Sequence, residues 1–343
     1  MRKRVANSTM GFPSRGFSNT MFLKRKIIFA GVAGLLALEA PAQTVPPAPA
    51  NNSRPMRIVT GGTGGGNDFL SRILAQGLTS LRGQQVIVDN RPSGVIPGEI
   101  VMRSAPDGHT LVVYGSSFWT APLLQETPFD PIRDFTPVTL AAFTPNVVVI
   151  HPALAATSMG ELIALMKAKP GTFNYATSGT GSANHLAGEL FKVMAGVNMV
   201  RINYKGPGQA ISDLMAGQVQ VMFATATAGL TQARAGKLRA LAVTSLKPSA
   251  LAPELPTVAA AGLAGYEAVS PYGIYGPARI PAALVNDLHR DILDILQRAD
   301  SKTRLFAAGL EIVGSSPAQL TAAMKADQLK FGKIIKAAGI KIE

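Results

Sequence analysis

Two glycine-rich turns constrain this chain more than any other feature. They are Gly61-Gly62-Thr63-Gly64-Gly65-Gly66-Asn67-Asp68 and Ser178-Gly179-Thr180-Gly181-Ser182-Ala183-Asn184-His185. Each follows a short run of strand character and opens a stretch whose apolar residues recur at helical spacing. Strand, tight turn and helix in that order predict parallel βαβ units in an α/β fold, with helices on both sheet faces. Glycine lets backbone approach a ligand closely, and a helix N-terminus offers unpaired N–H groups and partial positive charge. One such turn is an anion cradle. Two of them point to an anion held between two lobes, which suits a length of 343 residues.

The segment before the first turn reads as an export signal. Lys24-Arg25-Lys26 precedes an apolar stretch at residues 27–38, and Ala40-Pro41-Ala42 fits a small-x-small cleavage site. That apolar run is too short to span a bilayer comfortably. Residues 1–42 are therefore expected to be a signal peptide, with Met21 as an alternative start, and residues 43–54 a disordered linker. The leader also distorts the charge balance. It holds seven Lys/Arg and one acid, leaving 26 basic and 19 acidic residues, or +7, beyond it. These charges are scattered and form no basic stripe interleaved with aromatics, which argues against nucleic acid as a partner. Cysteine is absent, so disulfides and thiolate chemistry are excluded.

From residue 55 the pattern alternates. Strands are expected at 57–60, 85–88 and 110–114, and helices at 68–81 and 99–104. A long irregular stretch follows over 115–137, then an apolar extended strand pair over 139–150. A helix starts at Ser158 with Glu161 completing a capping box. Further strands are expected at 173–177, 200–204, 219–223, 237–243 and 272–275. Helices are expected at 186–195, from Pro207 to a stop at Gly217, and at 281–297 and 317–337. The chain thus leaves one lobe near Ile150 and returns near Ser270. Lobe 1 is 55–150 plus 271–343, lobe 2 is 151–270, and two crossing strands form a hinge.

A dinucleotide site is the nearest rival. Gly62-x-Gly64 opens a helix and Asp89 ends the next strand about 25 residues later. The third glycine position is Asn67, however, and Asp68 places a carboxylate inside the cradle. No Walker lysine follows either turn. His109, His151, His185 and His289 are isolated, with no metal-ligand spacing, so neither metal nor cofactor is expected. Ser182 and His185, three residues apart, are the one pair an exported α/β hydrolase would use, although His185 serves equally to fix the loop or line the cleft. The hydroxyls of Thr63, Ser116, Ser117, Ser178, Thr180, Ser182 and Thr225 join the turn amides as groups able to hold a carboxylate. Phe118, Trp119 and Tyr272 are candidate cleft walls.

The chain resembles the Bug family, the substrate-binding proteins of tripartite tricarboxylate transporters. The resemblance rests on the opening into the first turn, Val88-Asp89-Asn90-Arg91-Pro92, Ala105-Pro106-Asp107-Gly108-His109, Phe129-Asp130-Pro131-Ile132-Arg133-Asp134-Phe135, Gly171-Thr172-Phe173-Asn174-Tyr175-Ala176, His185-Leu186-Ala187-Gly188-Glu189-Leu190-Phe191, Asn203-Tyr204-Lys205-Gly206 and Ala235-Gly236-Lys237-Leu238-Arg239. It runs in order over residues 55–343. It implies a type II periplasmic-binding-protein fold of two α/β lobes with a cleft for a small organic di- or tricarboxylate. By position it points to Thr63, Gly64, Gly65, Ser116, Gly179, Thr180 and Ser182 as ligand contacts. Asp68, Ser117, Ser178, Gly181, His185, Tyr204, Ala224 and Thr225 complete the candidate set. The implied partners are a membrane transporter or sensor kinase, and the implied protein is a periplasmic, monomeric, non-enzymatic receptor. Departures from the family pattern mark specificity. Gly62-Thr63-Gly64-Gly65 replaces the usual Pro-Ala-Gly-Gly, the loop after Asn90-Arg91-Pro92 is shortened, Ala224 stands where many members have Asp, and Pro271-Tyr272-Gly273 replaces Trp-Tyr-Gly. An alternative within the same fold is an orphan receptor for a non-carboxylate ligand.

Overall fold

A computed structural model describes residues 54–92 and 94–340. The expected signal peptide and nearly all of the linker lie outside them. Among the described residues no helix is long and apolar enough to cross a membrane.

The first βα units follow the alternation. Strands β1 (Met56–Thr60), β2 (Val86–Asn90) and β3 (Thr110–Gly115) pair in parallel with β1 between the other two. Helices α1 (Gly66–Arg82) and α2 (Ile96–Met102) connect them. Leu70, Ile73, Leu74 and Leu78 of α1 recur at three- and four-residue spacing and bury one face against Ile58 and Val113. Each such side chain contributes about 1.5–3 kcal/mol on full burial.

Strand β4 (Phe135–Ile150) organises everything else. The expected pair of strands over 139–150 is one continuous strand. Its first part pairs antiparallel with β9 (Val269–Pro277), from Phe135↔Pro277 to Pro145↔Val269. From Asn146 onward it pairs with β7 (Val221–Thr225) and β8 (Arg239–Val243) instead. Pro145, which would break a ladder in mid-sheet, sits where the strand exchanges one set of partners for another.

Beyond β4 the first pattern repeats. Helix α4 (Met159–Ala168) is capped by Ser158, which accepts from the Glu161 amide at 3.2 Å. The Glu161 carboxylate reaches back to the Thr157 amide rather than closing the expected box on Ser158. Strands β5 (Phe173–Thr177), β6 (Met199–Asn203) and β7 are parallel with β5 central, linked by α5 (Ala183–Ala195) and α6 (Pro207–Met215). The complete order is β2-β1-β3-β9-β4-β7-β5-β6, with β8 and the short β10 (Glu311–Ile312) also on β4.

Three helices escaped the sequence reading. The 115–137 stretch contains α3 (Ser117–Thr120) and a single 3-10 turn. Helix α7 (Ala226–Arg234) follows β7 directly, and α9 (Ala299–Ala307) follows α8 (Ala282–Gln297). The C-terminal α10 (Pro317–Ala338) opens on a reciprocal capping box between Ser316 and Gln319. Its later residues Phe331, Ile334 and Ile335 pack with Tyr175, Leu190, Phe191 and Phe223. The chain's end therefore seals the core around β5 and β7.

Candidate functional site

Register locates the site. At its C-terminal end β3 places Gly115 opposite Tyr272, and β9 sets Tyr272 and Pro271 beside Ala142 and Phe143 of β4. From the other side β7 ends with Thr225 opposite Asn146. The carboxyl ends of both parallel sets therefore converge on the β4 crossover. In open α/β sheets ligands bind outside the carboxyl ends of strands, where the order reverses. The first glycine turn leaves β1, next to β3, and the second leaves β5, next to β7. Both turns thus reach the crossover, from opposite banks.

The first turn is exposed at Thr63, Gly64 and Gly65. Gly64 adopts φ +82, a conformation that favours glycine, and a Cβ on Gly66 would collide with the Tyr272 hydroxyl. Tyr272 is therefore the floor under the turn. Asp68 braces the turn from within and is 5% exposed. Its carboxylate accepts from the Gly64 amide (3.0 Å), Asn90 Nδ2 (2.9 Å) and the Arg72 guanidinium (2.9 Å). Burial pushes its pKa up, but these donors outweigh burial and hold the carboxyl below its usual range. Among the described residues the Gly65, Gly66 and Asn67 amides meet no protein acceptor. Asp89, the acid a dinucleotide site would use, is instead paired with Arg57 and Arg91.

The second turn is braced by a histidine. The Gly181 amide donates to His185 Nδ1 at 3.0 Å, and His185 is 1% exposed. Burial, with the Arg201 charge second, lowers the His185 pKa to about 4. The ring is therefore neutral and able to accept. Ser182 Oγ lies 2.6 Å from the Gly179 carbonyl and 2.5 Å from Asn184 Oδ1. Asn184 Oδ1 also accepts from the Ser178 amide and hydroxyl. Neither ring nitrogen of His185 is bonded to Ser182, so the pair an exported hydrolase would need is not formed. Among the described residues the Gly179, Thr180, Ala183 and Asn184 amides have no protein acceptor. Gly181, with φ +74, packs against Leu124 just beyond α3, which links this turn to the segment that begins at Ser116.

The remaining candidates divide. Ser116 follows β3 at the N-cap of α3, is buried, and its backbone carbonyl receives the amides of Trp119 and Thr120. Among the described residues its hydroxyl has no protein partner. Ser117 is exposed on α3. Thr225 is exposed and stands at the N-cap of α7, a third helix start at the crossover that sequence reading missed. Ala224 is fully buried against Val147 and Val149, on the core face of β7. Tyr204 is buried too, and its pKa is raised by burial and a hydrogen bond to Asp213. Phe118 and Trp119 are core residues rather than cleft walls, with Phe118 stacked on Tyr275 and Trp119 Nε1 donating to Asp327.

Two glycine turns facing one crossover define an α/β binding protein of the periplasmic-receptor class. The family described as tripartite tricarboxylate transporter family receptor matches residues 70–340, and this chain belongs to it. Protein BugT of Bordetella pertussis is 33% identical over 323 residues, covering 92% of this chain and 97% of BugT. Among solved structures, R. palustris Rpa4515 with adipate is 31% identical with a TM-score of 0.72, covering 84% of this chain and 98% of that one. The periplasmic binding protein BugD is 29% identical with a TM-score of 0.69, over 84% and 99% of the two chains.

Proposed function

We propose that this protein is a periplasmic receptor that closes two lobes on a small organic carboxylate and delivers it to a tripartite tricarboxylate-type transporter or a sensor kinase. It acts as a monomer, without catalysis or cofactor, and without binding nucleic acid. The carrying observation is the convergence of two glycine turns with unpaired amides on the β4 crossover. Carboxylates accept several N–H and O–H donors at once, and such charge-assisted bonds contribute about 1.5–3 kcal/mol each. The similar structure solved with adipate supports the same ligand class. The lobes are 55–150 with 271–343, and 151–270. The last four residues of β4 and the late turns of α10 pack on the second lobe's core. The contacts are the turn amides with Thr63, Ser116, Ser117, Ser178, Thr180, Ser182 and Thr225. Asp68 and His185 set turn shape. Tyr204 and Ala224 act from behind the surface.

The test is a thermal-shift and calorimetric screen of refolded, ligand-stripped protein against adipate, succinate, malate, citrate, aromatic acids and amino acids. A ligand at one hundred times its dissociation constant stabilises by about 2.7 kcal/mol. No shift with any carboxylate overturns the proposal. Gly65→Val supplies the site control. A Cβ there meets nothing within 4 Å, so the variant folds, while its side chain crowds the unpaired amides and binding is lost.

A further inference from the structure

Arg201 of β6 has an unexplained placement. It is half-buried, and among the described residues no carboxylate lies within ion-pair distance of it. Its guanidinium is spent on two neutral hydroxyls: Nε donates to Thr177 Oγ1 at 3.1 Å, and one terminal nitrogen donates to Thr180 Oγ1 at 2.8 Å. It also lines a cavity of about 520 Å³ behind α5, with His185, Glu189 and Lys192. Glu189 does not neutralise it, being engaged by Lys192 at 3.0 Å and by the Tyr175 hydroxyl.

The chemistry of these contacts is directional. A guanidinium has donors only, so each threonine oxygen must accept from it. Thr177 then has an outlet for its own proton, Asn203 Oδ1 at 3.2 Å. Thr180 has none among the described residues. Its proton is left pointing away from Arg201, on a turn whose Gly179 and Thr180 amides are also unpaired.

We propose that Arg201 is a positioning residue for ligand selection: by donating to Thr180 Oγ1 it turns that hydroxyl's proton away from itself and toward the turn, so the second turn favours carboxylates over isosteric amides. This rests on the receptor reading above. A carboxylate offers an acceptor to the Thr180 hydroxyl and to the unpaired Gly179 and Thr180 amides together, whereas an amide turns an NH2 toward one of these donors.

The experiment measures dissociation constants calorimetrically for adipate and adipamide. If adipate does not bind, succinate, malate or citrate against its amide takes its place. The variants are Arg201→Met, Arg201→Lys, Thr180→Val and the Met/Val double variant, with the melting temperature of each ligand-free protein. The expected result is that Arg201→Met weakens carboxylate binding about 10- to 100-fold, the span of one charge-assisted hydrogen bond, with little change for the amide. The double variant loses no more than Thr180→Val alone, because Arg201 acts through that hydroxyl. Arg201→Lys, which keeps a donor cation, recovers part of the affinity. Equal losses for carboxylate and amide, or additive losses in the double variant, overturn the inference and leave Arg201 a structural residue. Unchanged binding by Arg201→Met overturns it while the receptor reading stands. Failure of the unaltered protein to bind any carboxylate overturns both.

Discussion

At the residue scale, His185 shows what burial does to a titratable group placed inside a turn. Its folded pKa is lowered to about 4, first by burial, then by Arg201 and more weakly Lys192, against the opposing Glu189. The unfolded value is near 6.5. Between these values the unfolded chain binds the extra proton and the folded one does not, so stability falls as pH drops from 6.5 toward 4 and levels off below. The window is on the order of 3 kcal/mol. His185→Gln keeps an acceptor for the Gly181 amide but removes the titration. Urea unfolding at pH 7 and pH 4.5 should show a clearly smaller pH loss in the variant, and an equal loss in both proteins would refute the assignment. Both turn braces, Asp68 and His185, stood out in the sequence as polar residues beside glycines. Their actual work was illegible there. Their partners are backbone amides of their own turns, and whether an amide is spent internally depends on geometry that residue identity does not carry.

At the scale of elements, the crossover of β4 is held by a polar clamp. Asn146 is fully buried; its amide faces Thr244 Oγ1 at 2.8 Å, its carbonyl accepts the Thr244 amide at 2.8 Å, and its side chain donates to the Ala268 carbonyl at 2.8 Å. The Thr244 hydroxyl also donates to that carbonyl at 2.8 Å. Thr244→Val keeps the shape but strands buried polar groups, and should cost about 1–3 kcal/mol. Thr244→Ser, which keeps the hydroxyl, should cost distinctly less in the same urea titration; parity between the two would count against the clamp. Helices with strong ends, such as α10 with its Ser316 box, were readable, and so were strands bounded by turns. Helix α7 was not, because Ala226-Thr227-Ala228-Gly229 carries neither a side-chain cap nor a clean apolar stripe. Strand β4 is one strand rather than the expected pair because its two parts take different, non-local partners.

At the scale of the molecule, the order β2-β1-β3 on one bank is matched by β6-β5-β7 on the other. The alternation of strands and helices announced both sets, and the resemblance supplied their mutual arrangement. The pairing of β4 with β7 and β8 was not legible, since non-local registers leave no trace in a single sequence. If the banks close on a ligand, small-angle scattering should give a smaller radius of gyration with saturating carboxylate than without. Contacts improved only in the closed state are what shift that population. An unchanged radius alongside tight binding would mean the site is preformed and the lobes do not move.

The sixteen residues of β4 also set a timetable. β3 cannot complete its ladder until β9 arrives, with Gly115 waiting for Tyr272, and β4 needs the same late strand along its first part. Neither bank can therefore finish its sheet while the N-terminal half of the chain is alone. Folding must wait for contacts distant in sequence, which slows it. For a chain exported as proposed, such a delay would leave the first bank and the first part of β4 unfinished until β9 has followed.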